Sequence, residues 1–312
     1  MFLSPREKES RFKAVRLAMA QKGIDILIVR GSSAVRGDGA AFRFLTDFPN
    51  INIPLVLVFF KDKADPSVLL VESRFQAMRA EKNSWVSDIR LSTDFLQSLI
   101  EVLKEKATGR AVIGIDGLQN FPFLWGQKIE EVFPSVTLTE FGPVLKQLRA
   151  TRSPEEIKLV KKSAALVDRA FTEGIKRIRP GNTEWQVMAW MDYLLKSNGV
   201  EKTFNIISQG PKVDAYVPSS RKIHKKGMVF TELTASYGGY WTQLARAVCL
   251  GKPDSKLTKL HQGAVLAIKA ALPYLKPGYR VSQPMAAMEE SVKSSGLGCT
   301  PVYGHIVGID MV

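Results

Sequence analysis

An α/β domain followed by an α+β domain with internal pseudo-two-fold symmetry is the fold this sequence predicts, on three observations. Short apolar runs alternate with helical patterns through the first half. A strong helix start at Ser153-Pro154-Glu155-Glu156 opens the second half. The second half then repeats itself at an offset of 97 residues: Pro180-Gly181 with a closing Ser197-Asn198-Gly199, and Pro277-Gly278 with a closing Ser294-Ser295-Gly296.

In the first half, Phe12, Val15, Ala18 and Met19 fall at helical spacing, and Gly23 is placed to end that helix. Ile26 to Val29 reads as a buried strand. Further strands are expected at Leu55–Phe60, Val68–Val71, Ala111–Ile115 and Val136–Thr139, with helices over Phe95–Lys106 and Leu124–Val132. Gly37-Asp38-Gly39 lacks the third glycine and the strand–helix setting of a phosphate loop. The boundary falls near Gly142–Thr151, giving domains of 1–145 and 150–312. Beyond it, Ser153 can cap and Glu156 completes a capping box. Ile157, Val160, Ala164, Val167, Phe171 and Ile175 then predict one long buried stripe.

In each copy of the repeat an amphipathic helix precedes the Pro-Gly, and a strand candidate follows the closing glycine. The first copy continues into strands at Thr203–Ser208, Val229–Ala235 and Tyr240–Leu250. The matching final pair of the second copy would lie past Val312. The expectation is therefore an incomplete second copy and a longer natural protein.

With 312 residues and 45% hydrophobic content, there is material for two cores. The opening Met1–Glu9 is charged almost at once, and the run Ile51–Phe60 is broken and too short to span a bilayer. Cys249 and Cys299 build no disulfide framework and match no zinc spacing, so a cytoplasmic address is expected. Net charge is +14. Residues 1–150 carry 21 basic against 17 acidic side chains, and residues 151–312 carry 23 against 13. Such an excess suits polyanions, and equally suits an acidic partner segment outside this chain. The densest basic cluster, Arg221-Lys222-Ile223-His224-Lys225-Lys226, nevertheless reads as a solvated turn before a strand, and nucleic acid is not the expected partner. Trp185, Met188, Trp190 and Met191 share a helical spacing suited to core or dimer contact.

Several segments, in order, resemble the creatinase / Xaa-Pro aminopeptidase family. Gly23–Val29 and Phe44-Leu45-Thr46-Asp47-Phe48 look like its N-terminal domain, and Lys146–Glu156 like its junction. Gly227–Gly251, with Gly239-Tyr240-Trp241-Thr242 and Arg246, resembles the hairpin carrying its first two metal ligands. Tyr303-Gly304-His305-Ile306-Val307-Gly308-Ile309-Asp310 resembles the segment carrying its ligand histidine. The resemblance implies a creatinase-type N-terminal domain and a pita-bread catalytic domain, often homodimeric. It also implies hydrolysis of C–N bonds in small peptides or amidino compounds.

Family members typically hold two divalent ions (Mn, Co or Zn) through two Asp, one His and two Glu, which activate a water. Carried over by position, Glu232 stands for the first Asp and His305 for the ligand His. Gln243 stands for the second Asp, where a neutral amide supplies no charge. Glu232 and His305 are thus both the candidate metal ligands and, with Tyr216 near a substrate-facing position, the candidate catalytic residues. The two Glu ligands would fall beyond Val312, and the part of the site within the chain implies one metal or none. The rival expectation is a non-catalytic binding module of the same fold, with a protein or polyanion partner.

Overall fold

The computed structural model describes residues 2–31, 39–49, 53–106, 109–210, 217–298 and 304–311. Helix α1 (Pro5–Gln21) starts at Ser4, whose side chain accepts the Glu7 N–H. The chain turns at Gly23 (φ 68°). There follow β1 (Ile26–Gly31), α2 (Ala40–Thr46), β2 (Leu55–Phe60), β3 (Val68–Val71), α3 (Arg74–Asn83), β4 (Asp88–Leu91), α4 (Phe95–Lys106), β5 (Val112–Ile115), α5 (Phe123–Val132), β6 (Thr137–Glu140) and α6 (Gly142–Ala150). The strands form one mixed sheet in the order β4-β3-β2-β1-β5-β6. Its apolar runs are continuous because both faces are covered. Leu27, Leu57 and Leu69 meet Phe12, Met19 and Phe42 on one side. Ile28, Val58 and Leu70 meet Leu99, Leu103 and Ile129 on the other.

The second half runs α7 (Pro154–Gly174), α8 (Glu184–Lys196), β7 (Lys202–Thr203), β8 (Ile206–Gln209), β9 (Gly227–Tyr237), β10 (Tyr240–Leu250), α9 (Ser255–Ala271) and α10 (Ser282–Ser294). The repeat is visible in the backbone. A short helical turn follows α7 at Ile175–Arg177 and α9 at Leu272–Tyr274. Gly181 and Gly278 then take φ of 92° and 94°, a left-handed turn open to glycine.

Two expectations need correction here. The buried face of α7 is Ser163, Leu166, Val167, Ala170 and Gly174, whereas Ile157 is 42% exposed and Phe171 and Ile175 are only half-buried. The inner face is built from small residues because a neighbour comes close: a Cβ on Gly174 would lie 2.5 Å from Met191 of α8. A stripe read from large apolar side chains misses such a face. The strand expected over Thr203–Ser208 is also broken into β7 and β8. Between them, Asn205 accepts the Thr234 N–H (3.0 Å) and donates to Asp192 (2.7 Å), replacing ladder bonds with side-chain ones. Strands β9 and β10 form a hairpin through Gly238-Gly239, with φ of 60° and 84°. The two positive values fit a tight two-residue turn.

Polar groups buried between the two halves join them. Arg11 of α1 donates to Glu7 (2.9 Å), to the Phe44 carbonyl (3.0 Å) and to the Tyr240 hydroxyl (2.9 Å), and lies 3.1 Å from Glu156. The Tyr240 hydroxyl in turn donates to Glu156 (2.6 Å). Burial, foremost, pushes the Tyr240 hydroxyl pKa up, keeping it a donor. Nearby, Glu155 accepts from the Ser4 hydroxyl (2.6 Å) and the Ser4 N–H (2.9 Å), which holds its carboxyl below the ordinary glutamate value. A depressed carboxylate stabilises the fold above its unfolded pKa, and that contribution is lost as pH falls through the folded one. Glu155→Gln is therefore expected to lower the urea midpoint at neutral pH. It should also flatten the decline of that midpoint below about pH 4.3, where an unperturbed glutamate protonates.

Candidate active site

Strand alternation sorts the side chains of β9. Val229, Leu233 and Ala235 enter the core beneath α7 and α8. Glu232 and Thr234 point to the opposite face. On β10, Gln243 sits directly across from Thr234, and Ala245 across from Glu232. Gln243 therefore reaches both neighbours: its amide nitrogen donates to Glu232 Oε1 (2.8 Å) and to Thr234 Oγ1 (3.2 Å). His305 comes from a segment 62 residues downstream, and its Nε2 lies 2.7 Å from Gln243 Oε1. Glu232, Gln243 and His305 form one hydrogen-bonded line across the face.

Anchors outside the line hold it in place. The Trp241 N–H donates to the Gly308 carbonyl (2.6 Å), laying the His305 segment along the start of β10. Arg149 of α6 pairs with Asp310 at 3.1 Å. Behind the sheet, the Ser163 hydroxyl of α7 meets Thr242 (2.9 Å) and the Ala235 carbonyl (3.0 Å). Burial, foremost, pushes the Glu232 carboxyl above its ordinary value, against the opposing pull of the Gln243 hydrogen bond and the His305 charge. Past Ala245 the same face opens into a groove of about 760 Å³ against α9. It is lined by Met228, Ala247, Cys249, Leu257, Leu260 and Val265.

The fold thus brings Glu232, Gln243 and His305 together, while Tyr216 lies outside the described residues. Thr234 and the Trp241–Gly308 contact were not anticipated. Thr234 was reachable by alternation from Glu232; the contact had no sequence signal. The basic turn at 221–226 is a loop. It buries Ile223 between its charges and pairs Arg221 with Glu184 (3.2 Å). Among the described residues, no helix is long and apolar enough to cross a membrane.

Among the described residues the donor set is one carboxylate and one imidazole, fewer ligands than a pair of divalent ions needs. Two hard cations need several carboxylate oxygens, and among the described residues no three His, Cys, Asp or Glu converge. Glu232 is the one carboxylate in the line, and one of its oxygens is taken up by an amide NH₂.

Two stretches of the chain match known family models. Residues 11–151 match the model of the creatinase/prolidase N-terminal domain, and residues 158–312 match that of metallopeptidase family M24, a family generally dependent on divalent metals. An Xaa-Pro dipeptidase of Pyrococcus furiosus is 27% identical over 219 residues, which is 68% of this chain and 61% of that protein. The chain thus spans under two thirds of that relative. An X-Pro aminopeptidase structure from Thermotoga maritima superposes with a TM-score of 0.82 at 18% identity, covering 96% of this chain and 82% of that one. The Pyrococcus horikoshii prolidase structure gives 0.79 at 20% identity, covering 97% and 83%. The chain belongs to the creatinase and Xaa-Pro peptidase family, with a creatinase-type N-terminal domain and a pita-bread domain.

Proposed function

We propose that this protein hydrolyses a C–N bond in a small peptide, with Glu232 and His305 as the groups that handle protons. The observation that carries the reading is the Glu232–Gln243–His305 line, set on an open sheet face beside a groove. A carboxylate and an imidazole held in fixed geometry supply the base and acid that peptide cleavage needs. Tyr216 is retained as a candidate proton donor on the sequence argument alone. The relatives bear peptidase names, which favours hydrolysis over a binding module.

The ions implied by the family, Mn, Co or Zn, would have Glu232 and His305 as their ligands here. Because that pair does not satisfy two ions, no step is routed through them. A cytoplasmic homodimer belongs to the same reading. Trp185 and Tyr193 stay exposed on α8, while Met188 and Met191 fill its own core rather than a partner's.

The test is release of free proline from a panel of Xaa-Pro dipeptides, with amidino compounds as the second arm. Turnover abolished by both Glu232→Gln and His305→Ala is the expected result. Turnover unaffected by either substitution would remove both residues from the site.

A further inference from the structure

Where α7 gives way to α8, the chain encloses a second cavity, of about 540 Å³. It is lined by Lys176, Arg177, Arg179, Asn182, Gln186 and Trp190. Helices α7 and α8 cover the β9 face opposite Glu232, so this cavity shares no residue with the candidate active site. Its turn is pinned from outside. The Gly181 N–H donates to the Ile223 carbonyl (2.9 Å), and the Ile223 N–H donates to the Asn182 carbonyl (2.8 Å). The same pairing brings the basic loop 221–226 alongside.

The wall is rich in donors. Gln186 accepts the Thr183 N–H (2.9 Å) with its amide oxygen, which leaves its NH₂ without a partner. The Trp190 indole N–H, a donor only, is shut from water and has no acceptor in the protein. Native structures seldom leave such a group unpaired. Arg177 sits over the Trp190 ring at 4.3 Å, a contact that holds the guanidinium without giving its N–H groups an acceptor. Arg179 donates to the carbonyl of its neighbour Ile178 (3.3 Å). Lys176 is compensated by Glu173 at 2.9 Å. Arg177 and Arg179 therefore line the cavity with no carboxylate paired to either among the described residues.

We propose that this cavity binds a phosphate group. Phosphate on an organic carrier bears about two negative charges near neutral pH and presents acceptor oxygens. That matches two uncompensated guanidinium groups and a wall of N–H donors. A carboxylate brings one charge and would leave the second cation unanswered. The volume exceeds what a bare phosphate ion fills and lies in the range of sites for small organic ligands. A small phosphate ester is thus favoured over the free ion. The site is independent of the hydrolase reading.

The experiment is isothermal titration calorimetry of the full chain with AMP, inorganic phosphate and adenosine. AMP should bind, and adenosine, which lacks the phosphate, should not. Weaker binding of inorganic phosphate than of AMP identifies an ester site, and equal binding identifies a site for the free ion. Arg177→Gln and Arg179→Gln alter exposed side chains and should leave the fold intact by circular dichroism. Each is expected to weaken AMP about tenfold, the worth of one hydrogen bond between charged groups. Trp190→Phe keeps a ring under Arg177 and removes the indole N–H, and should weaken AMP about threefold. Lys161→Gln with Lys162→Gln removes two exposed charges of α7 outside the cavity lining, and should cost under about twofold. Equal losses in that pair and in the double arginine variant would reduce the binding to general charge attraction and overturn the proposal. Failure of both AMP and phosphate to bind at millimolar concentration would overturn it too, as would adenosine binding as well as AMP. Proline release should be unchanged in the arginine variants, so the two readings fail separately.

Discussion

Arg11→Ala is expected to destabilise the protein by about 3–5 kcal/mol, the usual cost of leaving a buried charge without its partner. Arg11 and Glu156 are 4% and 3% exposed, so water does little to screen them. Removing the guanidinium takes a cation from both Glu7 and Glu156 and leaves Glu156 to the Tyr240 hydroxyl and the Ser153 N–H at the start of α7. It also empties the space over the Phe44 ring, where the guanidinium stacks at 4.4 Å. Arg11→Met combined with Glu7→Gln and Glu156→Gln should recover much of the loss, since an uncharged set of similar volume has no unpaired ion to bury. Urea denaturation followed by tryptophan fluorescence reads both. A loss under about 1 kcal/mol, the range of an exposed pair, would show that the two halves are not held by this cluster. The effect should reach the active site as well, because Tyr240 is the first residue of β10 and Gln243 lies on the same strand three residues on.

How far the sequence foretold this architecture depended on which kind of signal each element carries. Strands β2, β3 and β10 and helix α4 fall at the expected bounds, because apolar runs flanked by polar turns carry their own limits. Helix α2 was not foreseen. All seven of its residues are buried, Arg43 included, so it has no polar face and no period to read. Helix α3 escaped for the opposite reason. It leaves Phe75 and Met78 exposed and buries only Gln76 and Ala80, so its apolar residues mark the wrong side. Strand β4, Asp-Ile-Arg-Leu at the sheet edge, has too little apolar content to announce a strand.

The site divides in the same way. Glu232 and Gln243 were legible through their places on a recognisable hairpin, and His305 through its glycine-flanked segment. That the three touch was not legible. Contact depends on the register of β9 against β10, which the Gly238-Gly239 turn sets, and on the Trp241–Gly308 bond, which joins segments far apart in sequence.

Glu232→Gln is expected to reduce kcat for the dipeptide substrate by about 10²–10⁴-fold, the range associated with loss of a positioned general acid or base. The substitution is nearly isosteric, and the new amide oxygen can still accept from Gln243, so the hairpin and the groove should survive. What disappears is the negative charge at the far end of the line from His305. If Glu232 acts by stabilising charge that develops on His305 through Gln243, the loss should fall on kcat, with KM little changed. Gln243→Met should then show a similar kcat loss, and the double variant should be little worse than either single one, because groups acting as one unit are not additive. Full multiplicative losses in the double variant would mean instead that Glu232 and Gln243 act separately. A kcat reduced less than tenfold by Glu232→Gln, with the fold intact by circular dichroism, would place the reacting groups elsewhere on the groove.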